Sequence, residues 1–130
     1  MRMSKVHIWV GSSSKSDKEF GKYFKLDDQN KDLDSPNYKI CQFCLDLGLT
    51  TYDDDFIGVY KTEDIQKVSI FLEELSVSDT EYKKIDQLCL EKGFSKINAM
   101  FYYTDSELEI RDSEKKYNDL TYLGYFDTDF

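Results

Sequence analysis

The C-terminal third of the chain constrains the fold most, because its apolar residues recur with a period of two. From Ile97 to Tyr103, odd positions carry Ile, Ala, Phe and Tyr, whereas even positions carry Asn, Met and Tyr. Successive side chains of a β-strand point to opposite faces, so this period predicts a strand. A second strand is predicted over residues 120–126, with a short amphipathic run at 107–111 between turn-like segments. An antiparallel meander is the simplest arrangement of these pieces.

The preceding two thirds add two strands and four helices. Residues 5–11 alternate Val6, Ile8 and Val10 with His7 and Trp9, which predicts a strand, and another strand is predicted within residues 52–61. Runs of one element type, rather than strict alternation of strand and helix, favour the α+β class. We therefore expect a mostly antiparallel sheet of four to five strands with about four helices packed on it. The length predicts a single domain over residues 1–130.

Capping signals bound the four helices, which are predicted over residues 17–25, 35–47, 62–75 and 78–92. The second has the clearest punctuation, since Ser35 and Pro36 suit its N-cap and first position and Gly48 suits a left-handed residue after its end. The predicted start of the third helix rests on Thr62-Glu63-Asp64, because acidic residues are favoured in the first turn of a helix.

Charge limits the classes of partner. The chain has 26 acidic and 17 basic residues, and its formal net charge is −9. No basic patch interrupts this excess, so binding to nucleic acid or to an anionic membrane is disfavoured. The same charge favours rapid capture of a basic protein. Without a recognisable secretory signal or a bilayer-length apolar run, and with three cysteines expected as free thiols, a cytoplasmic location is predicted.

Few residues suggest chemistry. Cys41 and Cys44 have the spacing of a redox or metal site, but both are predicted to lie inside a helix, and only Cys89 and His7 could complete a metal site. Core thiols are therefore favoured over a site. The single His7 is expected to be a packed or edge residue rather than a member of a catalytic triad. No catalytic motif is present, so we expect no enzyme activity, metal or cofactor.

The densest carboxylate cluster is Asp53-Asp54-Asp55. A solvated acidic turn is favoured, a protein-binding patch comes second, and a divalent-cation site comes third, because the spacing of a calcium-binding loop is absent. A small-ligand domain, a metal-binding domain or an enzyme that uses this cluster remains the alternative function.

Tyrosines and acidic residues mix in the C-terminal strands, where Tyr could anchor a protein interface. An adaptor that uses this tyrosine-rich sheet is a further alternative. Combining this region with the acidic cluster and the N-terminal strand gives the predicted partner-binding residues: Asp53, Asp54, Asp55, Trp9, Tyr102, Tyr122, Glu107 and Glu109.

Two segments resemble one family. The run Val6-His-Ile-Trp-Val-Gly11 resembles the first strand of the immunity protein 22 family of bacterial polymorphic toxin systems. Tyr52-Asp-Asp-Asp-Phe-Ile-Gly58 is similar to its acidic-aromatic segment, although Thr51 stands where the family has an aromatic residue. The resemblance implies a cytoplasmic, non-enzymatic protein that neutralises a cognate toxin delivered by neighbouring cells. The expected toxin is a nuclease or another protein with a basic cleft, bound by a monomer or a weak homodimer.

Overall fold

A computed structural model describes residues 5–128, which form two compact units. One unit comprises residues 14–54, and the other comprises residues 5–13 together with 55–128. The strands are β1 (Lys5–Gly11), β2 (Ile57–Lys67), β3 (Lys96–Thr104), β4 (Lys116–Tyr117) and β5 (Leu120–Asp127). The α-helices are α1 (Asp17–Lys22), α2 (Gln42–Leu47), α3 (Val68–Leu72) and α4 (Asp79–Glu91), and one 3-10 turn spans Asp54–Phe56. The predicted α+β class is confirmed, whereas the single domain stays a prediction.

The five strands form one antiparallel sheet in the order β2-β3-β1-β5-β4. The predicted C-terminal meander is wrong, because β1 lies between β3 and β5. The composition of β1 explains its central place. From Val6 to Gly11 every residue is buried, and a strand that is buried on both faces is stable in the middle of a sheet.

Two apolar layers lie on opposite faces of β1. On one face, Val6, Ile8 and Val10 pack in a core with Leu72 of α3 and Ile85 of α4. The opposite face is aromatic. The Trp9 ring stacks on Phe101 at 4.7 Å between centroids and lies 5.1 Å from Tyr122 and 5.8 Å from Tyr117. Burial of these large side chains on both faces stabilises the sheet.

The unit of residues 14–54 has an aromatic core of its own. Helix α1 begins as predicted, with the Ser16 hydroxyl accepting a hydrogen bond from the Glu19 amide, but it ends at Lys22 rather than Lys25. Phe43 of α2 packs against Phe24 at 5.4 Å and edge-on against Tyr52 at 5.1 Å between ring centroids. The Tyr52 hydroxyl donates to the carbonyl of Phe24, which ties the last residues of this unit to the segment that follows α1.

The predicted start of the second helix is wrong. Helix α2 begins at Gln42, and Ser35 forms a turn in which its hydroxyl accepts a hydrogen bond from the Asn37 amide. A serine can bond its own neighbouring backbone in this way, and that turn competes with the helix cap the sequence suggests. The end was predicted correctly, because Gly48 is left-handed with φ 74°.

The predicted helix over residues 62–75 is also wrong in its first turn. Strand β2 continues to Lys67, and its register against β3 shifts between Lys61 and Gln66. The intervening residues form a bulge, so Ile65 is exposed rather than part of a helical stripe. Pairing with β3 thus overrides the local capping signal, and α3 covers only Val68–Leu72.

Candidate partner-binding grooves

An open groove of about 910 Å³ lies between residues 106–110 and residues 122–126 of β5, with Leu88 of α4 also lining it. We call it the edge groove. It brings together three of the predicted partner-binding residues, Glu107, Glu109 and Tyr122, although more than ten residues separate the glutamates from the tyrosine in sequence. Both glutamates are exposed, whereas Tyr122 is buried. The groove therefore combines a charged rim with an aromatic wall.

His7 and Tyr122 hold this wall in place. His7 Nδ1 lies 2.8 Å from the Tyr122 hydroxyl, and His7 Nε2 lies 3.2 Å from the carbonyl oxygen of Asp105. Because a carbonyl can only accept, Nε2 carries the proton, and Nδ1 accepts from the Tyr122 hydroxyl. Burial lowers the pKa of His7, which keeps the ring neutral, and burial raises the pKa of Tyr122. The predicted packing role of His7 is confirmed by its 1% exposure.

Tyr125 is a groove residue that the sequence-based site prediction omitted. Its side chain is 57% exposed, and the Lys5 ammonium nitrogen lies 4.6 Å from the centre of its ring. This cation–π contact shows that the aromatic face of Tyr125 is placed to receive a positive charge. The signal for Tyr125 is its position opposite His7 in the β1–β5 pairing, and that pairing is not visible in the sequence.

A smaller pocket of about 100 Å³ brings together two other predicted residues, Asp55 and Tyr102. Tyr102 lies over Gly58, its directly opposed partner in β2. A glycine allows this close approach, because an added Cβ would lie 2.3 Å from the Tyr102 ring. Gly58, which ends the family-like acidic segment, thus makes room for the Tyr102 ring that lines this pocket.

Trp9 requires a correction. It was predicted to contact a partner, but its side chain is 0% exposed and packs among Phe101, Tyr117 and Tyr122. It alternates with the apolar residues of β1, and alternation alone does not tell which face of a sheet is covered. In this structure Trp9 supports the tyrosine wall from behind and offers no surface to a partner.

The acidic cluster is exposed throughout. Asp53 and Asp54 belong to one compact unit and Asp55 to the other, so the boundary between the units falls within the run. Exposed neighbouring carboxylates are common on protein surfaces without a bound cation. Asp53 and Asp54 line neither the edge groove nor the smaller pocket.

Cys41 and Cys44 lie at the start of α2, not inside a longer helix as predicted. Cys41 is the N-cap residue and Cys44 is in the first turn, and both side chains are buried. The Cys44 thiol donates to the Cys41 sulfur, which lowers the pKa of Cys41 below its ordinary value and raises that of Cys44. All three cysteines, including Cys89, are free thiols.

Comparisons with known proteins identify the family. No helix in residues 5–128 combines the length and apolar character needed to cross a membrane. No curated protein and no solved structure matches the sequence. The model of one family, described as immunity protein 22, matches residues 6–129, and this range includes both segments noted in the sequence. Because the match covers nearly the whole chain, the protein belongs to the immunity protein 22 family.

Proposed function

We propose that this immunity protein neutralises its cognate toxin in the cytoplasm by binding a basic surface of the toxin in the edge groove. The observation that carries the proposal is the convergence of Glu107, Glu109 and Tyr122 on one open groove. Membership of the family supports a toxin as the partner. The proposal needs no catalytic step by this chain, and the free protein is taken to be a monomer or a weak homodimer.

Charge and aromatic surface have different parts in this proposal. The net charge of −9 steers a basic protein toward the chain and speeds encounter. The exposed Glu107 and Glu109 then pair with Lys or Arg side chains, while Tyr125 offers a rigid face of the kind that anchors interfaces. A nuclease is the toxin class that best fits, because its cleft must be basic to hold nucleic acid.

The test is co-expression with the toxin encoded beside this chain. The wild type is expected to restore growth and to form a complex on gel filtration. The double variant Glu107→Lys/Glu109→Lys is expected to raise the dissociation constant of the complex about a hundredfold, since two attractive pairs become repulsive.

Glu63→Lys/Asp64→Lys is the matched control, because both residues are exposed, line neither groove described above and change the net charge by the same amount. It should bind nearly as tightly as the wild type. Equal weakening by both double variants would refute the edge groove as the site. Absence of any growth rescue or complex with the wild type would refute the function itself.

A further inference from the structure

We infer that the edge groove receives an extended segment of the toxin, which pairs with β5 as an added strand of the sheet. The inference rests on the proposed function and specifies how the partner is bound. Backbone hydrogen bonds would supply affinity, and the alternating side chains of the added strand would supply specificity.

Strand β5 has an open edge beyond its first two residues. Among residues 5–128, β4 pairs with β5 only through Lys116 opposite Thr121 and Tyr117 opposite Leu120. From Tyr122 onward, β1 is therefore the only strand beside β5 in the described part of the chain. An exposed strand edge is a template for pairing with another chain, and proteins that do not use such an edge generally protect it.

The backbone of Tyr125 is directed at this open edge. The Lys5 carbonyl accepts a hydrogen bond from the Asp105 amide, so the backbone groups of Lys5 point toward β3. Backbone groups alternate in direction along a strand, and those of His7 therefore also point toward β3, away from β5. Tyr125 is opposite His7, so the two form a non-hydrogen-bonded pair, and the amide and carbonyl of Tyr125 face outward.

The same alternation provides an internal reference. The backbone amides and carbonyls of Val6 and Ile8 point toward β5. Those of their partners, Phe126 and Gly124, therefore point back toward β1. Asp127, opposite Lys5, faces outward like Tyr125. Outward and inward amides thus alternate along four neighbouring residues of one strand.

The groove has the length of one short strand. A strand of five residues rises about 3.4 Å per residue and so spans about 17 Å. The edge groove, of about 910 Å³, follows β5 over the five residues 122–126. It is therefore long enough for one short extended segment beside the open edge.

The lining specifies the chemistry of that segment. Glu107 and Glu109 carry negative charge on one side of the groove, and the exposed ring of Tyr125 already accepts the Lys5 ammonium group. Leu88, Leu123 and Phe126 supply apolar surface. Side chains of a strand point alternately to opposite faces, so the occupant is a toxin segment in which Lys or Arg alternates with apolar residues.

Hydrogen exchange of the complex with the toxin encoded beside this chain tests the inference. The Tyr125 and Asp127 amides should exchange at least about tenfold more slowly in the complex, because each gains a hydrogen bond. The Gly124 and Phe126 amides pair with β1 and should be slow with or without toxin. An unchanged Tyr125 amide in an otherwise intact complex would overturn strand addition and leave the proposed function standing.

A pair of variants isolates the backbone contribution. Tyr125→Ala removes the ring but keeps the outward amide, whereas Tyr125→Pro removes both at an edge position where proline is tolerated. The proline variant should bind the toxin about tenfold more weakly than the alanine variant. Equal affinities of the two variants, each shown by circular dichroism to be folded, would overturn the inference. If the proline variant does not fold, the exchange of the wild-type amides decides alone.

Discussion

At Gly58, an added Cβ would lie 2.3 Å from Cε2 and 2.4 Å from Cζ of Tyr102. These atoms belong to a rigid ring that also stacks near Tyr60, with 6.2 Å between centroids. The ring therefore cannot move aside without losing contacts on the face of the sheet that packs against α3 and α4. Tyr102 in turn packs against the core formed by α3, α4 and β1. The identity of one strand residue thus depends on an aromatic side chain across the ladder.

We predict that Gly58→Ala lowers the free energy of unfolding by about 1–3 kcal/mol, because the methyl group overpacks the space under Tyr102. Gly21→Ala in α1 is the matched control, since nothing lies within 4 Å of its added Cβ, and alanine favours a helix by up to about 1 kcal/mol. Urea unfolding monitored by circular dichroism measures both. A Gly58→Ala protein as stable as the wild type would contradict the predicted clash.

His7 gives the stability of the fold a specific dependence on pH. Burial lowers the pKa of His7 below its value of 6.5 in an unfolded chain. Below about pH 6.5 the unfolded state therefore binds a proton that the folded state resists, and the free energy of unfolding falls as the pH falls. Well above pH 6.5 the histidine is neutral in both states and makes no such difference.

We predict that the wild type loses more stability between pH 7.5 and pH 5.5 than His7→Gln, which has no titrating ring but can still form hydrogen bonds. Urea unfolding curves at the two pH values give the comparison. Parallel losses in the two proteins would show that His7 does not control stability in this range.

The elements differ in how far local sequence determines them. Strand β1, the start of α1 and the end of α2 follow from alternation, a capping box and a left-handed glycine, all of which act within a few residues. The start of α2 and the last part of β2 were mispredicted. In both, the winning interactions were weakly visible from sequence: a serine turn near Ser35 and pairing of β2 with β3 across an irregular register.

The late start of α2 changes the chemistry expected of its two cysteines. With Cys41 at the N-cap, the sulfur receives a hydrogen bond from the Cys44 thiol, and the pKa of Cys41 is lowered. Cys89, in the other unit, shows the contrasting case, because burial raises its pKa to about 12.

We predict that Cys44→Ala raises the pKa of Cys41 toward the ordinary thiol value of 9.0, because it removes the hydrogen bond that stabilises the thiolate. The thiolate absorbance near 240 nm, followed against pH, measures the change. Cys89→Ala should leave this titration unaltered. If the Cys44→Ala and wild-type titrations coincided, the Cys41 thiolate would owe nothing to its partner.

At the scale of the molecule, the α+β class was predictable and the strand order was not. Element types follow from periodicity within a segment, but the place of β1 between β3 and β5 depends on contacts between residues far apart in sequence. The lining of the candidate groove was predictable to the same degree. Glu107, Glu109 and Tyr122 were identified by residue type, whereas the groove that unites them depends on the strand order, and the burial of Trp9 depends on the face it occupies.

The negative charge of the whole chain should control how fast the toxin is captured. The Debye length falls from about 30 Å at 0.01 M to about 8 Å at 0.15 M ionic strength, so steering of a basic toxin by the net charge of −9 should weaken over this range. We predict that the association rate constant falls about tenfold or more, while the dissociation rate constant changes much less. Stopped-flow fluorescence with the toxin encoded beside this chain measures both constants.

Two double variants separate the effect of the net charge of the chain on association from the effect of the charges at the groove. Glu107→Gln/Glu109→Gln and Glu63→Gln/Asp64→Asn each remove two negative charges, but only the first pair lines the edge groove. If local charge at the groove dominates steering, the first variant should slow association more and should flatten its salt dependence, because the field near the contact acts over the last few ångströms of approach. Equal effects would assign steering to the net charge alone. An association rate that does not vary with salt in the wild type would contradict a basic toxin surface at the contact.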